Sequence, residues 1–317
     1  MKRILLIKTS SLGDVIHNCP VIHDIHKHLP DAKIDWLVEE SFADIPRMHT
    51  GVNQMFTLSI RRWRKQLLSK KTWQEIGAFK KTIQQTQYDA VIDSQGLLKS
   101  ALITKLTQGT KHGFDKESIR EPLASYFYDV KHHYAFQNHA VKRTRTLAAM
   151  SLGYQTPTDA PDYGLSTSTV AVKLPKPYVI GLHGTSKDSK LWPTQHWIQL
   201  GKTLAEQGLN LILPWASAEE ESRANLIKAA LTNAVVLPKC TIAQLGVIIS
   251  QAHAAVGVDT GLSHLAAALS VPTVAIYTDT DPALTGVMAG AHQPAINLGG
   301  IAQIPTVDEV MQTLLQL

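Results

Sequence analysis

Residues 254–277, AAVGVDTGLSHLAAALSVPTVAIY, constrain the fold more than any other stretch of this chain, because one short segment holds a strand, a small-residue turn, a helix and a second strand. The run at 254–258 is apolar and of strand length, and the Ala/Leu segment through 265–269 continues as a helix to the break near Pro272. Between them lies Asp259-Thr260-Gly261-Leu262-Ser263-His264. Gly261 permits close backbone approach, and a helix that starts there aims unpaired N–H groups and a positive dipole end at whatever sits above the strand. Such a turn suits a phosphate or diphosphate. Taken alone, the same residues also describe an ordinary strand-to-helix turn in which Asp259 or Thr260 is only an N-cap.

At 317 residues, 44 % of them hydrophobic, the chain has the length for two domains and ample core material. No apolar run approaches the ~18 residues of a membrane span, and Met1-Lys2-Arg3 leads straight into a strand, so a cytoplasmic protein is expected. Cys19 and Cys240 are too few and too far apart for a disulfide framework or a cysteine metal site. Charge is unevenly shared. Residues 1–160 carry 23 Lys and Arg against 15 Asp and Glu, a net +8, whereas residues 161–317 carry 8 against 11, a net −3. The basic half is therefore expected to meet an anionic partner, whether nucleic acid, a membrane surface or an acidic substrate.

In chain order, residues 4–7 read as a buried strand, followed by Lys8-Thr9-Ser10-Ser11-Leu12-Gly13-Asp14 and a helix from about 15 to 29. The turn is not G-x-G-x-x-G, which argues against a dinucleotide-dependent dehydrogenase. Asp14 falls near the helix start, at the carboxyl end of the first strand, where open α/β sheets place their sites; a first-turn Asp is also favoured by the helix dipole alone. Strands at 34–38 and 90–92 follow, the latter leading into Asp93-Ser94-Gln95-Gly96 and a helix at 98–106. Alternation of this kind predicts parallel sheets covered on both faces. Ile60-Arg61-Arg62-Trp63-Arg64-Lys65 places forked donors for phosphate or carboxylate beside an amphipathic ring. His132 and His133 are adjacent and cannot both face one ion from a regular element, and no suitably spaced carboxylate or Cys is evident, so no metal site is expected.

Residues 155–177 turn rich in Pro, Thr, Ser and Asp, which marks a domain edge. A second series begins with a strand at 178–182 that runs into His183-Gly184-Thr185-Ser186-Lys187. Helices at 197–207, 218–231 and 242–250 alternate with strands at 209–213 and 235–237. The chain thus reads as two doubly wound α/β halves, residues 1–165 and 166–317, with the terminal helix at 306–317 a candidate to return onto the first half.

KTSSLGDV at 8–15, IRRWRK at 60–65, DSQGLLKSA at 93–101, REPLAS at 120–125, a K-x-W-P element at 190–193 and VDTGLSHLAAAL at 258–269 together make the chain resemble the lipopolysaccharide heptosyltransferase I group of glycosyltransferase family 9. Six motifs in register across nearly the whole chain are specific. The resemblance implies a GT-B fold, two Rossmann-like domains facing across a cleft. It also implies inverting transfer of heptose from ADP-heptose to the inner Kdo of Kdo2-lipid A, peripheral attachment to an anionic inner-membrane surface, and no cofactor, essential metal or nucleic-acid partner. A relative adding a later heptose, or a nucleotide-sugar epimerase or hydrolase of the same fold, is the alternative.

By the same resemblance Asp14 is the general base and Lys190 meets the leaving diphosphate. Thr185 and Ser186 match a phosphate-binding pair, and Glu220 matches the acid that holds ribose, with Glu219 or Glu221 as register alternatives. Asp259, Thr260, Gly261, Leu262 and His264 complete the donor side, His264 being equally able to cap a packed helix. Ser10, Ser11, Gly13, Arg61, Arg62, Arg64, Lys65 and Arg120 form the acceptor side. One departure stands out: Thr278-Asp279-Thr280-Asp281-Pro282 contains D-x-D where such enzymes carry Gly-Pro-Thr-Asp-Pro. Asp281 is expected to stabilise a turn before Pro282 rather than to hold a metal.

Overall fold

The computed structural model describes residues 1–317, which divide into two units, Met1–Asp159 and Ala160–Leu317. The first runs β1 (Arg3–Ile7), α1 (Leu12–Ile16), α2 (Cys19–His28), β2 (Lys33–Glu39), α3 (Asp44–Met48), β3 (Gln54–Leu58), α4 (Ile60–Trp63), α5 (Lys70–Ile83), β4 (Gln87–Asp93), α6 (Leu98–Thr104), β5 (Gln108–Phe114), β6 (Val130–His132) and α7 (Ala140–Leu152). Its sheet has the order β3-β2-β1-β4-β5-β6, and every pairing is parallel. Ile4, Leu5, Leu6 and Ile7 are wholly buried. A strand covered on both faces must be continuously apolar, and each such side chain gains roughly 1.5–3 kcal/mol of transfer free energy.

The second unit repeats the winding with β7 (Tyr178–Leu182), α8 (Thr194–Glu206), β8 (Asn210–Leu213), α9 (Ala218–Ala229), β9 (Ala234–Val236), α10 (Ile242–Ser250), β10 (Ala254–Val258), α11 (Gly261–Ala268), β11 (Thr273–Tyr277), α12 (Pro282–Thr285), β12 (Ala295–Gly299) and α13 (Val307–Leu315). The order β12-β11-β10-β7-β8-β9 is again all parallel. In each sheet the strand order reverses beside the first strand, between β1 and β4 and between β7 and β10. Crevices at such switch points lie outside the carboxyl ends of the strands.

Two expectations change. The helix expected at 15–29 is two, α1 and α2, because Pro20 has no N–H and its ring cannot follow a helical carbonyl four residues back. The domain edge falls at 159/160, since the residues after it are tied to the second unit: the Tyr163 hydroxyl donates to Met288 O (2.9 Å) and the Val172 N–H to Gln251 Oε1 (3.2 Å). The terminal helix is part of the second unit. Thr306 and Glu309 cap α13 reciprocally, and Val310, Met311 and Leu314 join Trp197 and Leu200 in the second unit's own core.

Candidate active site

In the first unit the loop after β1 is shaped by residues that follow β4. The Oε1 of Gln95 accepts from the N–H groups of Thr9 and Ser10, both at 3.0 Å. Lys99, in the first turn of α6, donates to Ser10 Oγ at 3.0 Å. Asp14 is the third residue of α1, and its Oδ2 accepts from the N–H (2.9 Å) and hydroxyl (3.1 Å) of Ser11. Its Oδ1 stands 3.9 Å from Lys8 Nζ, and the Asp14 side chain remains 34 % exposed. Asp14 is thus held from one side and open to a reactant on the other.

Lys8 is buried and donates from Nζ to Ser94 O at 3.0 Å. Burial pulls its pKa below the usual lysine value, against the opposing pull of Asp14 and Asp93. Asp93, buried at the end of β4, accepts from the N–H groups of Gln95 (2.9 Å) and Gly96 (3.2 Å) and from the Tyr128 hydroxyl (2.8 Å). Its pKa is raised by burial in spite of those donors. Arg120 and Arg143 add positive charge felt at Lys8, Arg143 being packed between the rings of Phe114 (4.6 Å) and Phe136 (4.5 Å).

In the second unit Lys190, ending a short 3-10 turn at Asp188–Lys190, donates to Asp259 Oδ2 at 2.6 Å, and the Thr280 hydroxyl donates to the same oxygen at 2.6 Å. The Thr185 hydroxyl donates to Asp259 O at 2.9 Å, tying the loop after β7 to the end of β10. Thr260 is the N-cap of α11 but makes no side-chain cap hydrogen bond, so no side chain occupies the first-turn N–H groups there. Gly257 lets α11 lie close to the sheet: a Cβ there would stand 2.2 Å from Ser263 Oγ and 2.9 Å from Leu182 Cβ. Leu262 is half-buried and His264 buried on α11. Ser186 is exposed on the same loop as Thr185.

Among the three acids at the start of α9, Glu220 is the one that faces β7. Its Oε2 accepts from the Ala216 N–H (2.7 Å), and its carboxyl group would lie 2.5 Å from a Cβ on Gly184. Glycine at 184 lets the Glu220 carboxyl group sit there without shifting.

The basic motif is less uniform than its sequence. Arg62 is engaged by Glu40 (3.2 Å) and Glu75 (2.8 Å), and these hydrogen bonds raise its pKa. Both partners lie more than ten residues away in sequence, and they make Arg62 a brace for α4. Arg61, Arg64, Lys65 and Arg120 are exposed and make no ion pair. Gly13 accepts from the His17 N–H through its carbonyl (2.9 Å). Of the D-x-D pair, Asp281 caps α12 by accepting from the Ala283 N–H (2.8 Å), and Asp279 accepts from the Ser189 hydroxyl (2.6 Å). The two histidines do face apart: His132 Nε2 meets His112 Nδ1 at 3.2 Å, while His133 Nδ1 meets Asp115 at 2.8 Å. Carboxylates do lie beside one of them, however, since Asp115, Glu117 and His133 bring ligand atoms within 4.8 Å at the surface. Tertiary folding supplies a grouping that sequence spacing hides.

Two Rossmann-like units, each opening a site at its switch point, define the GT-B class of nucleotide-sugar enzymes. The profile of glycosyltransferase family 9 (heptosyltransferase) matches residues 76–313. Lipopolysaccharide heptosyltransferase 1 of Escherichia coli (strain K12) is 46 % identical over 288 residues, covering 90 % of each chain. The structure of the E. coli heptosyltransferase WaaC with ADP superposes with a TM-score of 0.90 at 42 % identity over 99 % of both chains, and that with ADP-2-deoxy-2-fluoro heptose with a TM-score of 0.86. The chain belongs to glycosyltransferase family 9, the heptosyltransferases.

Proposed function

We propose that this transferase moves L-glycero-D-manno-heptose, with inversion, from ADP-heptose to the inner Kdo of Kdo2-lipid A, needs no metal ion, and works in peripheral contact with the cytoplasmic face of the inner membrane. The observation that carries the reading is Asp14, a carboxylate fixed by Ser11 and open to solvent at the carboxyl end of β1. As the Kdo hydroxyl attacks the anomeric carbon, its proton passes to Asp14, the bond from that carbon to the diphosphate oxygen breaks, and the electron pair leaves with ADP. Asp14 is a weak base, effective as the hydroxyl turns acidic in the transition state.

Charge gathering on ADP is met by the Lys190 ammonium, which spends one N–H on Asp259, and by the first-turn N–H groups of α11 at Gly261 and Leu262. Thr185 and Ser186 bind phosphate, Glu220 the ribose hydroxyls, and Asp259, Thr260 and His264 the heptose side. Arg61, Arg64, Lys65 and Arg120 take the Kdo carboxylates and lipid A phosphates, with Ser10 beside them; Arg62 acts by holding its neighbours. A basic surface adds roughly 1 kcal/mol of membrane attraction per residue near an anionic leaflet, and no helix is long and apolar enough to cross a membrane.

Mass spectrometry of Kdo2-lipid A after incubation with ADP-heptose, with GDP-mannose and ADP-mannose in parallel, tests the reading. A single added heptose is expected; donor consumption without acceptor growth contradicts it. EDTA in metal-free buffer is expected to leave the rate intact, and a loss that Mg²⁺ restores would bring Asp279 and Asp281 back as ligands.

A further inference from the structure

The first unit exposes apolar side chains in a pattern that its reaction chemistry leaves unused. Between α4 and α5 the chain turns through Leu67 and Leu68, 53 % and 104 % exposed, and Trp73 in the first turn of α5 is 59 % exposed. The indole N–H donates to Leu67 O at 2.8 Å, so the polar edge of Trp73 is satisfied by the turn while its ring stays at the surface. Residues 60–74 around this tip hold six Arg and Lys and no Asp or Glu. Of these only Arg62 is ion-paired. Arg64, Lys65, Lys70 and Lys71 flank the apolar tip and make no ion pair, Lys71 adding positive charge felt at Glu75. A second apolar group stands where α6 packs on the 3-10 turn Pro122–Phe127: Leu102, Leu123 and Tyr126 are 52 %, 65 % and 73 % exposed, with Lys131 Nζ 5.7 Å from the Tyr126 ring.

Topology relates the two groups to Asp14. All six strands of the sheet are parallel, so the segments leaving β1, β3, β4 and β5 emerge on one side of it. The tip follows β3, at the sheet edge on one flank of β1, and the second group follows β4 and β5 on the other flank. The Asp14 loop lies between them.

We propose that this side of the first unit docks on an anionic bilayer, with Leu67, Leu68 and Trp73 entering the headgroup boundary and Leu102, Leu123 and Tyr126 resting against it. Exposed leucines and an indole ringed by cations are what an interfacial segment needs: apolar area for the acyl boundary and positive charge for the lipid phosphates. A second copy of the chain is the poorer occupant, because pairing two such tips sets like charges against each other. A nucleic-acid backbone would use the cations and leave the leucines in water. The proposal rests on the lipid-acceptor reading for its purpose, since docking here would present Asp14 to a substrate anchored in the membrane, but the binding itself is measurable without substrate.

The full-length protein is floated with vesicles of phosphatidylethanolamine and phosphatidylglycerol, and with vesicles of phosphatidylcholine alone. Binding to the anionic vesicles is expected, weakening with salt. Leu67→Gln with Leu68→Gln should lower it about tenfold or more, and Lys70→Gln with Lys71→Gln should lower it and flatten its salt dependence. Leu67→Met with Leu68→Met should retain it. These side chains are exposed, so an unchanged thermal transition certifies the fold of each variant. Both glutamine pairs should keep wild-type turnover on deacylated, soluble acceptor and lose about tenfold on acceptor embedded in vesicles. Absence of wild-type binding to anionic vesicles, equal binding by the Leu67/Leu68 glutamine pair, or loss of self-association instead of vesicle binding in that pair each overturns the proposal. Vesicle binding that follows the expected pattern without any transfer to the lipid would instead refute the acceptor reading and leave the docking surface standing.

Discussion

β4 and β10 hold the same place in their sheets, next to the first strand at the switch point, and each runs into an aspartate. Asp93 is buried and spends its oxygens on the N–H groups of Gln95 and Gly96 and on the Tyr128 hydroxyl. Asp259 is partly exposed and is gripped by Lys190 and Thr280. The first strands differ in a matching way: β1 leads into buried Lys8, a cation 3.9 Å from Asp14, whereas β7 leads into buried His183, a group whose neutral form is favoured by its surroundings. The fold decides where a site opens, and the partners at the strand ends decide what it does. The first unit builds a charged setting around a free-edged carboxylate; the second builds a neutral floor under a helix start and one lysine.

The comparison is broken most sharply by changing Asp14, the proposed base. Asp14→Ala should cut kcat by about 10²–10⁴, the range of a lost general base, and stopped assays of transfer measure it. If Asp93→Ala costs turnover equally with its fold intact, the two aspartates are not divided as described. Stability provides the next largest effect. Arg145 pairs bidentately with buried Asp24 (2.7 and 2.8 Å), so Arg145→Ala should cost roughly 3–5 kcal/mol in urea unfolding by leaving an uncompensated charge. Lys190→Ala removes the cation proposed to meet the leaving group and frees Asp259 from its ion pair, and should lower kcat by about 10²–10³.

The smallest effect is one of pH. Burial, with Arg223 nearby, pulls the pKa of His183 down to about 4. Between its ordinary value near 6.5 and 4 the unfolded chain holds a proton that the folded chain refuses, so stability rises with pH across that window and levels off above it. The full loss on acidification is at most about 3 kcal/mol. His183→Phe should flatten the pH dependence of the thermal transition, and an unchanged slope would remove His183 from the account.

Much of this frame is legible in the sequence. β7, β10 and α10 have the bounds their apolar runs predict, because each is framed by Pro, Gly, Thr or polar residues. β5, whose sequence is QGTKHGF, and β3, QMFTL, carry no clear periodicity and become strands through their neighbours in the sheet. On the site side, Asp14, Lys190 and Asp259 stand in short motifs, and the resemblance that names their roles rests on those motifs. Their settings do not show in sequence: Lys8 and Gln95 act on loops 86 residues away, and Arg62 is claimed by acids from two other segments. Lys99 and Arg143 lie in or near recognisable motifs, but only tertiary contacts bring them to the Asp14 loop.

Calorimetric titration of ADP-heptose into Asp14→Ala and Lys190→Ala, set beside the kcat of each, tests the division between the units most directly. Wild-type donor affinity in Asp14→Ala despite its lost turnover, with donor affinity weakened about tenfold or more in Lys190→Ala, is the predicted pattern. Donor affinity lost in Asp14→Ala and kept in Lys190→Ala would contradict it.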